Sequence, residues 1–122
     1  MQNMTKGKLE AEVSDAITRF EKEHLGRGPR ETRAHIIEDM ILIRLKGVLT
    51  PAEESLARTP EGAQLIKLIR MQLVENSRNL IEALVEDITQ TTVKALYTDI
   101  SSDTGERVFV IILDHNLEKD LD

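Results

Sequence analysis

The sequence predicts an α+β domain: a mainly antiparallel four-stranded sheet of two hairpins, with an N-terminal helix, a short helix and a long helix packed on one face. Three observations predict it. Apolar residues recur at three- and four-residue spacing early in the chain and again in its middle. Two other stretches alternate with period two around polar turns. The order is therefore helix, hairpin, short helix, long helix, hairpin, with no internal repeat.

Residues 8–23 carry Leu9, Val13, Ala16, Ile17 and Phe20 on one helical stripe. Gly26 and Gly28-Pro29 end that helix, because glycine suits the position after a helix and proline cannot continue one. Residues 33–47 read as a hairpin turning at Glu38-Asp39, a pair that lacks the usual glycine. Thr50-Pro51-Ala52-Glu53 has the cap, the N1 proline and the returning glutamate of a helix start. Thr59-Pro60 is a second start, so a short helix (51–57) precedes a long one (61–89). At ~1.5 Å per residue the long helix exceeds ~40 Å, more than the diameter of a domain this size. It either kinks near Asn76-Asn79, where helix formers are poor, or projects into a partner. Residues 92–100 and 106–114 form the second hairpin about Ser101–Gly105. Val108–Leu113 is apolar on both faces, which predicts a central strand, or one covered on both sides, as a dimer would cover it. The ordered core is expected over about 6–114, with an acidic tail, 115–122, that frays.

Composition narrows function by exclusion. The 122 residues suit a single domain, and 40% are hydrophobic, enough for a core that must be aliphatic since aromatics are 2%. Without cysteine there are no disulfides, thiolate nucleophiles or Cys-ligated metals, which fits a reducing, cytoplasmic setting. No apolar run spans a bilayer, and the first residues lack a signal-peptide core. The net charge of −6 is uneven: residues 1–50 hold nine Lys/Arg against eight Asp/Glu, and residues 51–122 hold seven against fourteen. An acidic chain with few aromatic stacking platforms makes nucleic acid an unlikely partner.

No catalytic set has a usable signature, so the chain reads as a non-enzyme needing no cofactor. His24, His35 and His115 lack metal-site spacing, and there is no P-loop, nucleophile elbow or dinucleotide fingerprint. Asp99, Asp103, Asp114 and His115 lie near the last hairpin, where oxygen ligands could gather for a hard cation, although loop carboxylates are ordinarily just solvated. The best local candidate is Gly26–Arg33. Arg27, Arg30 and Arg33, joined in space by Arg44 and Lys46, would form an anion-binding loop, since arginine forks grip carboxylate or phosphate. The bland alternative is a turn with solvated, paired charges. Leu65, Ile66, Ile69, Leu73, Leu80, Ile81, Leu84 and Ile88 form the main apolar face of the long helix; Leu68 and Met71 fall off it and mark the helix for self-association into a dimer, or for contact with the short helix.

The run Gly26-Arg27-Gly28-Pro29, then Thr32-Arg33-Ala34, Arg44-Leu45-Lys46-Gly47-Val48-Leu49-Thr50-Pro51-Ala52-Glu53 and Thr59-Pro60-Glu61-Gly62, resembles a bacterial domain-of-unknown-function family called MpsC-like. Thr98-Asp99-Ile100 and Asp103-Thr104-Gly105-Glu106 resemble it too, and the likeness covers roughly residues 6–114. The family is named after a sodium-translocating system that generates membrane potential. The resemblance implies an accessory role beside membrane transport subunits and carries over no catalytic residue. Three readings follow: a homodimeric accessory protein working by contact, an anion-binding module on the arginine loop, and an enzyme of unknown reaction.

Overall fold

A computed structural model describes residues 5–121 of the chain. The first helix, α1 (Lys6–His24), starts where the Thr5 hydroxyl accepts from the Lys8 N–H at 3.1 Å. Leu9, Val13, Ala16, Ile17 and Phe20 are buried, the stripe that the spacing predicted. Strands β1 (Glu31–Ile37) and β2 (Met40–Lys46) form the first hairpin. Its turn is Glu38-Asp39, with Glu38 at a left-handed φ of 56°. A non-glycine residue is disfavoured there, and the reason it persists is tertiary. The Glu38 N–H donates to Glu118 Oε1 at 2.8 Å, the Glu118 N–H donates to the Glu38 carbonyl, and the Leu113 N–H donates to the Asp39 carbonyl.

The short helix α2 (Pro51–Leu56) has the full capping box. Thr50 accepts from the Glu53 N–H, and Glu53 accepts from the Thr50 N–H at 2.9 Å. Thr59 caps the next helix in the same way. A Cβ at Gly62 would sit 1.9 Å from the Leu56 carbonyl oxygen, so only glycine lets the two helices meet this closely.

The single long helix expected over 61–89 is two helices, α3 (Pro60–Asn76) and α4 (Arg78–Thr89). The break falls at Ser77, whose φ of −108° leaves the helical region, inside the stretch of weak helix formers. Arg78 fixes the bend by donating to the Leu96 carbonyl at 2.9 Å. The kink lets α3 pack on the second hairpin while α4 reaches α1. It also corrects the assignment of the apolar face. In α3 the buried seam is Ile66, Arg70 and Val74, while Leu65, Ile69 and Leu73 are partly exposed.

Strands β3 (Val93–Ser101) and β4 (Glu106–Leu113) complete a four-stranded antiparallel sheet of order β1-β2-β4-β3. The doubly apolar strand is central, as its sequence predicted. β2 and β4 pair from Met40↔Ile112 to Lys46↔Glu106. Side chains alternate across the sheet. Ala34, Ile36, Ile41, Ile43, Leu45, Leu96, Ile100, Phe109, Ile111 and Leu113 are buried with the apolar faces of the helices in one core. The alternate residues form an open face.

The tail does not fray as expected. A 3₁₀ turn at Leu117–Asp120, capped by Asn116, places Leu117 in the core at 2% exposure. Glu118 grips Lys6 at 2.7 Å as well as the Glu38 turn. The tail therefore closes the strained hairpin turn. Replacing Leu117→Ala is expected to lower unfolding stability by about 2–4 kcal/mol, read by denaturant titration. A fraying tail would leave the midpoint unchanged.

Candidate functional site

The structure divides the five cations of the expected anion site. Arg27 donates from Nη1 to the Leu49 carbonyl at 3.0 Å. The Arg30 side chain lies across Gly47, whose φ of 69° and lack of a Cβ make room for it. Arg33, Arg44 and Lys46 stand on the open face of the sheet, Arg33 opposite Arg44 in register. There Arg33 pairs with Glu31 at 2.7 Å and Arg44 with Glu106 at 2.6 Å. Like charges facing across strands disfavour pairing, and the flanking carboxylates offset this. Glu106 and Glu31 are correspondingly held below the ordinary carboxylate range by their arginine hydrogen bonds. The arrangement is a balanced charged rim rather than a convergent cationic pocket.

The oxygen-rich set near the last hairpin is also divided. Asp99 and Asp103 lie at the Ser101–Glu106 end of the sheet, whereas Asp114 and His115 follow the far end of β4. Asp99 meets Lys67 at 3.3 Å, and His115 meets Asp120 at 2.9 Å. Among the described residues there is no group of three or more His, Cys, Asp or Glu placed to hold a metal. A shallow groove of about 770 Å³ runs between α3 and the β3–β4 turn, bordered by Ala63, Lys67, Asp99 and Thr104. No histidine lines it.

Sequence reasoning missed the most unusual chemistry in the chain, which is buried. Arg107 on β4, Glu21 on α1 and Arg70 on α3 are each at most 1% exposed. Arg70 donates to both oxygens of Glu53 and, at 2.9 Å, to the Val48 carbonyl. Arg107 donates to Thr98 Oγ1 at 2.8 Å and to the Arg70 carbonyl at 3.2 Å, and it lies over the Phe109 ring. Glu21 is 4.0 Å from Arg107 Nε, beyond hydrogen-bond reach. Both Glu21 carboxylate oxygens, Arg107 Nε and Arg70 Nη1 find no hydrogen-bond partner among the described residues. One signal was available. Glu21 follows the buried Phe20 and falls on the helix stripe of Ile17, while Arg107 sits at an inward position of a strand that alternates strictly.

Burial decides the electrostatics of this cluster. Desolvation pushes the Glu21 carboxyl up to about 7, against the pull of Arg107 and then Arg70, while Glu53 adds to the rise. Desolvation likewise lowers Arg107, with Glu21 opposing. Both partners shift toward their neutral forms, so burial outweighs their mutual attraction. Glu53 moves the other way: burial raises it, but hydrogen bonds from Arg70 and the Thr50 N–H together hold it below the ordinary range.

Two apolar surfaces remain unpartnered. On α3, Leu65, Leu68, Ile69 and Leu73 form an exposed ridge, with Leu68 the most open at 65%. Leu56 on α2 and Leu80 on α4 are exposed as well. Of the residues expected to support self-association, Leu68 belongs to this ridge, whereas Met71 is partly buried against the core. The second surface is the open face of the sheet, where Ile37 and Tyr97 are exposed and Met40, Leu42, Val108, Val110 and Ile112 are half-buried.

The raised Glu21 gives a pH signature with a definite sign. Between 4.5 and about 7 the native protein keeps a proton that the unfolded chain has released. This contribution to stability is complete below about 4.5 and is lost as pH rises through about 7. A shift of this size corresponds to roughly 3 kcal/mol. The carboxylates held low, including Glu53 and Glu106, lose their contribution only below their ordinary range, so the two windows are separate. Wild type minus Glu21→Gln, measured by urea unfolding from pH 5 to 8, is expected to show stability falling with pH in the wild type alone. Parallel profiles would remove the buried carboxyl as the cause.

The family described as "Na+-translocating membrane potential-generating system (MpsC)" matches residues 5–115. The uncharacterized protein YbcI of Bacillus subtilis (strain 168) is 44% identical over 118 residues, covering 97% of this chain and 95% of that protein. The uncharacterized protein YrhF of the same strain is 28% identical over 110 residues, covering 88% of this chain and 89% of that protein. No solved structure matches. Capped α2, its approach to α3 across Gly62 and the paired hairpins lie within the matched span, and the chain belongs to the MpsC family.

Proposed function

We propose that this chain is a non-enzymatic accessory protein that acts by contact with another protein, a membrane subunit of the Na+-translocating system named in its family's description. The observation that carries the reading is the α3 ridge. Leu65, Leu68, Ile69 and Leu73 recur at the spacing with which a helix lays its apolar side into a partner's groove, and they are 37–65% exposed. An apolar stripe of this length on the outer layer of a small domain marks an interaction surface.

The absence of a span and the shape of the surface both support a docked role. No helix among the described residues is long and apolar enough to cross a membrane, so ion passage would belong to other subunits. The ionisable cluster with the largest shifts is sealed in the core beneath α1 and α3 rather than open to a substrate. A cytoplasmic position beside the membrane subunits fits both features.

The test is flotation of the purified protein with liposomes that hold the system's membrane subunits. Wild type is expected to co-float, and Leu68→Glu, with an unchanged circular dichroism spectrum, to bind at least ~10-fold more weakly, as expected for losing one well-buried leucine contact. Light scattering in parallel reads self-association through the same ridge. Equal binding of both forms overturns the proposal. So does a Leu68→Glu variant that splits a homodimer while still co-floating.

A further inference from the structure

The open face of the sheet is a lattice of four rows and four strands, fixed by the strand registers. The first row reads Ile37, Met40, Ile112, Ala95 in the order β1-β2-β4-β3. The second reads His35, Leu42, Val110, Tyr97. The third reads Arg33, Arg44, Val108, Asp99, and the fourth Glu31, Lys46, Glu106, Ser101. The apolar residues fill the first two rows and the charges are confined to the last two. The charges are also divided by strand. All three cations, Arg33, Arg44 and Lys46, lie on β1 and β2, while Glu106 and Asp99 lie on β4 and β3. Arg33, Asp99 and Tyr97 are largely exposed, with Lys67 of α3 reaching Asp99 at 3.3 Å at the edge of the face.

We infer that two copies of the chain pair open face to open face, about a two-fold axis parallel to the strands. Such an axis keeps each row over the same row and exchanges left for right. β1 then lies over β3 of the second copy, and β2 over β4. Ile37 faces Ala95, Met40 faces Ile112, Leu42 faces Val110 and His35 faces Tyr97. Arg33 faces Asp99 and Lys46 faces Glu106. Large faces small at the apolar edge, and opposite charges face each other at the rim. Two charges have no opposite partner across the axis: Glu31 faces Ser101 and keeps its own Arg33 beside it, and Arg44 faces Val108 and keeps its own Glu106 beside it.

The alternative axis, in the plane and across the strands, costs more desolvation than the one charge-on-apolar position, Arg44 over Val108, of the chosen pairing. It would set Ile37 over Glu31, Met40 over Lys46, Leu42 over Arg44 and Tyr97 over Asp99, burying charges against apolar groups. The chosen pairing also agrees with how sheets stack, since facing sheets keep their strands within ~30° of each other. At the outer strands, ~7 Å from the axis, that twist moves facing residues by about 3–4 Å, which an arginine side chain spans. The footprint is about 19 by 24 Å from strand spacing and rise, or ~450 Å² per copy. That is about 900 Å² in total, the size of a weak, transient contact, and a weak dimer is expected.

The pairing uses the sheet face rather than the α3 ridge, which lies on the other layer and touches this face only through the Lys67–Asp99 pair. The experiment is a charge exchange read by sedimentation equilibrium. Wild type is expected to dimerise. Arg33→Glu and Asp99→Arg are each expected to weaken the dimer by ~10-fold or more, because each sets two like-charge pairs across the two-fold. The double variant is expected to return to within ~3-fold of wild type. Arg33 and Asp99 stand on opposite outer strands of one chain, ~14 Å apart, beyond the screening length at physiological salt, so restoration reads contact between copies. A second measurement needs no variant. Wild-type amide shifts between ~10 µM and ~1 mM are expected to move at Leu42, Tyr97 and Val110 but not at Leu68. A monomer throughout that range, single exchanges without effect, a double exchange that fails to restore, or shifts confined to α3 would each overturn the pairing.

Discussion

The antiparallel register between β2 and β4 is the constraint on which the rest of this molecule depends. Each hairpin could form locally, but an isolated hairpin is marginal in water. Setting Met40 against Ile112 and Lys46 against Glu106 makes one sheet of the two. It also decides which residues become core. Ile41, Ile43 and Leu45 then share a face with Phe109, Ile111 and Leu113, and all six are buried. A slip of one residue in either strand would exchange that set for the outward one. Helices α1, α3 and α4 cover the face this register creates, and the rows of the open face are its other product.

The buried charges act as ties within that frame. Arg70 joins α3 to Glu53 of α2 and to the Val48 carbonyl before it, so the short helix is held although it buries none of its own residues. Arg107 joins β4 to β3 through Thr98 and to α3 through the Arg70 carbonyl. Glu21 of α1 stands beside Arg107 without reaching hydrogen-bond distance. Buried pairs of this kind add little net stability, because desolvation offsets attraction, but removing one partner strands the other. Their effect here is to fix how three helices sit relative to one hairpin. The tail adds a further tie, since Glu118 holds both Lys6 and the Glu38 turn.

A two-layer domain has two outer surfaces, and in this one each carries apolar side chains. The helix layer presents the ridge about Leu68, and the sheet presents the rows about Leu42 and Val110. Of the cations that looked like an anion site in the sequence, Arg33, Arg44 and Lys46 stand on the rim of the second surface, where Arg33 and Arg44 pair with carboxylates, whereas Arg27 and Arg30 are held by the Leu49 carbonyl and beside Gly47.

The amino-acid sequence by itself determined the elements and their class. Periodicity placed α1 and both hairpins, because a helix stripe and a strand alternation are local patterns. Thr50-Pro51 and Thr59-Pro60 placed two helix starts, because capping is a contact between near neighbours. The apolar run Val108–Leu113 marked β4 as central. Only the tertiary structure decided the rest. The long pattern over 61–89 broke at Ser77 because α3 and α4 pack on different neighbours, and a helical wheel carries no such information. The face that looked most apolar on the wheel was left partly open, since the core instead received Arg70 with partners from α2 and the loop before it. Leu117 and Glu118 gained order from contacts with residues about 80 and 110 positions away in the chain, which no local propensity encodes. Arg33 and Asp99 share an end of the sheet only through three strand registers. Local physics writes the elements, and long-range packing decides which of their faces meet.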